Sequence, residues 1–139
     1  MKKLITVIVF TLAFSTLHAA GHYQHEKAFE ELVLNNGTKW KIDQATGNNV
    51  DRLQQIVKKV NGHKLADYRP AGTALQAGIN QMIKECRMKG PDHLALHKWL
   101  EPLMEQVTQL NRATSAAAAK KHFNEVKKRL QLFNQYFRA

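Results

Sequence analysis

Ala119, Phe123, Val126, Leu130, Phe133 and Phe137 recur at alternating steps of four and three residues. That 3.5-residue period puts all six on one stripe of an α-helix, whereas a strand would scatter them over both faces. Lys120, Lys121, Lys127 and Lys128 lie off the stripe. A single amphipathic helix cannot bury its own apolar face, so the rest of the chain must supply partner helices.

Three earlier segments do so. Val50, Leu53, Val57 and Val60 fall at helical spacing, with Arg52, Gln54, Gln55, Lys58 and Lys59 off that stripe. Asp43 or Thr46 can cap this first helix, and Asn61-Gly62 ends it. A loop over 63–70, closed by Arg69-Pro70, leads to a second helix expected from Ala71 to Met88. Its inward stripe is Leu75, Ile79, Met82 with Ile83, and Cys86. Gly90 reads as the stop of that helix and Pro91 as the start of a third, which runs to Leu110. Leu96, Leu100, Leu103, Val107 and Leu110 face inward there, and Pro102 predicts a kink. Thr114 or Ser115 starts the fourth helix, whose Ala116–Ala119 run allows close approach. Four amphipathic helices with short connections predict an all-α fold, an antiparallel up-down four-helix bundle over residues 44–139.

Residues 20–43 read as an N-terminal arm. Asn36-Gly37 is a strong two-residue turn signal, and Leu32, Leu34, Trp40 and Ile42 alternate around it, which predicts a small hairpin. A short helix over 25–34 closed by the same pair is the alternative. Trp40 is expected to pack over the bundle end.

The first residues read as a secretory signal. Lys2 and Lys3 precede a mostly apolar run from Leu4 to Leu17, and the small Ala19 and Ala20 follow. The expectation is a signal peptide over 1–19 and a periplasmic mature chain. No later stretch approaches the ~18 apolar residues of a membrane span, so the mature chain is expected to be soluble. Loss of Lys2 and Lys3 takes the formal charge from +10 to +8. Export argues against nucleic acid as the target of this basic surface. It leaves solvent, an acidic periplasmic protein or an anionic envelope component.

The chemistry concentrates in one stretch, Cys86-Arg87-Met88-Lys89-Gly90-Pro91-Asp92-His93-Leu94-Ala95-Leu96-His97. Cys86 is the one cysteine, so no intramolecular disulfide can form, and in an oxidising compartment a lone thiol calls for burial, pairing between chains or coordination. His93 and His97 stand at i and i+4 and share a helix face. Cys86 and the two histidines approach one another across the helix-to-helix corner, with Met88 able to close the set. A thiolate, two imidazoles and a thioether suit copper. Zinc could use Cys86, His93 and His97, but methionine is a poor zinc ligand. Lys84, Arg87 and Lys89 favour the thiolate and repel a cation. A cysteine in a core, a histidine bonded to a carbonyl and a methionine plugging a bundle end are the ordinary structural alternatives. A second candidate is His22. Cleavage after Ala19 would leave Ala20-Gly21-His22 as an amine-terminal copper or nickel chelate, with His25 nearby. No carboxylate pair or nucleophile triad points to an enzyme.

The pattern Cys-x-Met-x-Gly-x-x-His-x-x-Leu-His resembles that of small exported bacterial bundle proteins, and Leu34 to Asp43 resembles their N-terminal signature. The resemblance implies a periplasmic four-helix bundle and brings no functional residues with it. The architecture is also similar to that of the periplasmic cytochrome b562 family, which holds haem between an early methionine and a late histidine. Neither position matches here, since the fourth helix offers only His122 near its start, and no Cys-x-x-Cys-His occurs. The expected function is therefore copper binding for storage, delivery or electron transfer. A metal-free interaction module with a basic surface, or a b-type haem bundle, is the alternative.

Overall fold

The computed structural model describes residues 31–139. The expected signal segment and His22 lie outside the described residues. Four helices account for most of the described chain: α1 Gln44–Lys58, α2 Leu65–Glu85, α3 Gly90–Arg112 and α4 Ala116–Tyr136. Each packs on the next, and α4 closes on α1, which makes the expected four-helix bundle. No described helix is long and apolar enough to cross a membrane.

The core follows the apolar stripes. Val50, Leu53 and Val57 of α1 are buried, as are Leu75, Ile79 and Met82 of α2, and Leu96, Leu100, Leu103, Val107 and Leu110 of α3. All six residues of the α4 seam are buried, from Ala119 to Phe137. The largest fully buried side chain is Trp99, which the sequence reading left out of the α3 stripe. Its ring meets Phe133 edge-on at a centroid distance of 4.7 Å, and its Nε1–H donates to the Arg129 carbonyl at 2.8 Å. The donor is thus satisfied where water cannot reach it. Ile83, placed beside the α2 stripe, is instead 49% exposed.

Local chemistry explains the helix ends, and several differ from expectation. Asp43 caps α1, its Oδ1 accepting the Thr46 N–H at 2.8 Å. Ser115 caps α4 through Oγ, which accepts from the Ala118 N–H at 3.2 Å. The second helix begins at Leu65, six residues before the expected Ala71. Asp67 Oδ2 accepts the Lys64 N–H at 2.8 Å, and burial of Tyr68 against Phe123 anchors the extra turn. Pro70 sits inside α2 at an exposed position, where solvent can meet the carbonyl that lacks its N–H partner. The helix also ends earlier, at Glu85 rather than Met88, so Cys86 is its C-cap in an extended conformation. Gly90 is accordingly no stop for α2. Four residues separate it from the end of α2, and it opens α3 with φ +68°, a left-handed value that glycine adopts at little cost. The third helix continues across Pro102 to Arg112.

The arm departs furthest from the hairpin expected of it. Asn36 and Gly37 form the expected tight turn, with φ values of 49° and 81°, bridged by Asn35 and Thr38. The pairing stops there. Trp40–Lys41 (β1) instead runs parallel to Phe137–Arg138 (β2), Trp40 opposite Phe137. Ile42 N–H donates to the Arg138 carbonyl at 2.9 Å, extending the pairing by one residue. Trp40 is half-buried against the core, as expected of a residue covering the bundle end.

Candidate metal site

The α2–α3 corner spans Cys86 to Lys89 and is fastened to the start of α1. Asp43 Oδ2 accepts the Arg87 N–H at 3.0 Å while Oδ1 serves as the cap. One carboxylate therefore ties two elements together. Partial burial pushes the Asp43 carboxyl up, but the Thr46 hydroxyl, the Arg87 and Thr46 N–H groups and the Arg87 charge together hold it below the usual carboxylate range. Beneath it, the buried Asn49 donates to Glu85 Oε2 at 2.7 Å, and Gln81 donates to the other Glu85 oxygen. Those two hydrogen bonds, that from Asn49 foremost, lower the Glu85 carboxyl. The Arg87 guanidinium folds back onto the carbonyls of Lys84 and Cys86, at 2.8 and 3.0 Å. Lys41 N–H donates to Asp92 Oδ1 at 3.0 Å and fixes the first turn of α3 against the arm.

On this frame, Cys86, His93 and His97 line one small cavity of about 50 Å³, walled by Met82, Ile83, Leu96 and Leu100. The volume suffices for an ion or a few waters. His93 Nε2 and His97 Nε2 face each other at 3.2 Å, with ring centroids 4.6 Å apart and the planes edge-on. One ring donates to the other. On the far side of the second ring, His97 Nδ1 lies 3.9 Å from Glu101 Oε1. Glu101 was not singled out from the sequence, although His-x-x-x-His-x-x-x-Glu sets three polar side chains on one helix face and is legible there. Cys86 is half-buried and its thiol is free.

Met88 does not join this set. It packs against the core, with its sulfur 3.7 Å from the buried Thr46 hydroxyl oxygen, on the α1 side of the corner. Cys86, His93 and His97 thus share one cavity wall, and Met88 lies outside it. Among the described residues, no three His, Cys, Asp or Glu side chains stand within joint reach of one ion as they are placed. His122, read as a surface or packing residue, places Nδ1 2.9 Å from Gln106 Oε1 and takes no part. Comparison of the chain with family models, curated proteins and solved structures finds no match.

Proposed function

We propose that the protein binds one transition-metal ion, copper in preference to zinc, at the corner lined by Cys86, His93 and His97. The carrying observation is the 3.2 Å separation of the two facing Nε2 atoms. Two nitrogens each ~2.0–2.1 Å from one ion, at an angle of ~105°, stand ~3.2–3.3 Å apart. The histidine pair thus needs little rearrangement to exchange its shared proton for an ion. Glu101 beside His97 Nδ1 is where a metal-bound histidine customarily has its orienting carboxylate. Cys86 supplies the third donor by a side-chain rotation across the cavity; these three donors would also accept zinc, and copper is preferred because its affinity for one nitrogen and sulfur donor set exceeds that of zinc. Met88 is left out of the ligand set. Periplasmic storage, delivery or electron transfer are the roles such a site serves.

Titration of the metal-free protein with Cu(I) and Cu(II) tests this reading. One equivalent should bind, and His93→Ala and His97→Ala should each weaken it by roughly tenfold or more. Cys86→Ser should remove any intense visible charge-transfer band with Cu(II). Unchanged stoichiometry and affinity in the double histidine variant would reject the site, as would a Met88→Leu variant that loses binding while the histidine variants keep it.

A further inference from the structure

The seam between α1 and α4 carries a second, chemically distinct groove. One part, about 600 Å³, is lined by Gln54, Val57, Lys58, Leu130, Gln131 and Asn134 among others, and a neighbouring part of about 380 Å³ is lined by Lys121, Asn124, Lys127 and Lys128. Lys127 and Gln131 border both parts; the first lies between α1 and α4, and the second is the outer face of α4 alone, onto which the trough opens. The larger part falls within the ~300–1,000 Å³ of ordinary ligand sites. Its floor is aliphatic, from Val57, Val60 and Leu130, and its walls are carboxamides and ammonium groups. Gln54 bolts the floor together by donating to the Leu130 carbonyl at 3.2 Å.

The electrostatics are one-sided. Glu125 is the one carboxylate lining the trough, and Lys128 holds it at 2.7 Å. Among the described residues, Lys58, Lys121 and Lys127 have no carboxylate partner. Unpaired ammonium groups on a shared groove attract an anion of matching length. The carboxamides add paired donors and acceptors of the kind that hydroxyl groups engage. No aromatic ring lines either part, so the stacking platform on which single-stranded nucleic acids are held is missing among these residues.

We infer that the α1–α4 trough binds an acidic oligosaccharide, its sulfate or carboxylate groups on Lys58, Lys121 and Lys127 and its hydroxyls on Asn61, Gln131 and Asn134. This inference stands apart from the metal site, which lies at the α2–α3 corner. Calorimetric titration with dextran sulfate and with polygalacturonate tests it, with neutral dextran and single-stranded polythymidylate as comparisons. Both acidic polysaccharides should bind, with or without chelator and in His97→Ala, and neutral dextran should not. The pair Lys58→Glu with Lys127→Glu should weaken binding roughly tenfold or more and flatten the salt dependence by about two charges. The pair Lys84→Glu with Lys89→Glu, equal in charge but at the corner, should leave affinity within about twofold, because screening confines each charge to its own ~10 Å neighbourhood. Gln131→Ala, which changes no charge, should cost about threefold to tenfold, the loss of about one hydrogen bond. Equal weakening by the corner pair, no effect of Gln131→Ala, or polythymidylate binding as tightly at equal charge would each overturn the assignment. So would absence of binding by both acidic polysaccharides.

Discussion

Asp43 offers the sharpest test of how the corner is held. Its two oxygens do separate work: Oδ1 caps α1 at the Thr46 N–H and Oδ2 accepts the Arg87 N–H. Removing an N-cap side chain costs about 0.5–2 kcal/mol. Loss of a hydrogen bond to a charged acceptor costs about 1.5–3 kcal/mol, with the lower end expected because Asp43 is only half-buried. Asp43→Ala should therefore destabilise the protein by about 2–4 kcal/mol, a large part of the ~5–15 kcal/mol of a typical domain. Asp43→Asn separates the two bonds. Asparagine caps helices well, but with its oxygen on Thr46 it turns an amide donor toward the Arg87 N–H, so about 1–2 kcal/mol should be lost. Urea unfolding followed by circular dichroism measures both, with the slope m checked for constancy. Equal midpoints for the two variants, or less than about 0.5 kcal/mol lost in the alanine variant, would refute the double role. The pH dependence carries the same signature with a definite sign. Because the folded carboxyl is held below its unfolded value of about 3.9, its contribution is full above about pH 4–5 and disappears as pH falls through the lowered folded value. Asp43→Asn should flatten the stability curve in that acid window and leave its shape near neutrality unchanged.

Trp99→Ala should cost about 3–5 kcal/mol, since it opens a cavity against Phe133, and Trp99→Phe should cost less but leave the Arg129 carbonyl without its indole donor; thermal or urea midpoints decide the order. Glu101→Gln should lower copper affinity by roughly tenfold while leaving the unfolding midpoint nearly unchanged, because it acts on His97 at the surface. Gly78→Ala adds a methyl 2.7 Å from the Leu53 side-chain end, so the gain of about 1 kcal/mol in helix propensity should be offset by about 1–3 kcal/mol of overpacking. A rise in the unfolding midpoint would show that Leu53 moves aside freely.

The period of the apolar residues made the bundle legible, because helical spacing and burial report the same face. The α4 seam and the Asp43 and Ser115 caps depend on neighbours within a few residues, and all were readable. What escaped reading depends on distant partners. Pro70 looked like a boundary, but the ring contact between Tyr68 and Phe123 favours helix on both sides of it. Cys86 looked like the last inward position of α2, but the hydrogen bond from the Arg87 amide to Asp43, across more than forty residues of chain, draws the corner out of helical conformation. From the sequence Met88 is expected to close the histidine set, and no local signal announces Thr46 as its neighbour. The histidine pair came through because i,i+4 spacing on one helix fixes both rings with no long-range information.

The parallel pairing of Trp40–Lys41 with Phe137–Arg138 has a dynamic consequence. It joins the two outermost pieces of the described fold by a short backbone ladder, so the first turn of α1 and the last turn of α4 are latched to each other and not left to fray separately. The amide of Ile42, bonded to Arg138, becomes a single sensor of both. Hydrogen exchange there reads the opening of the latch.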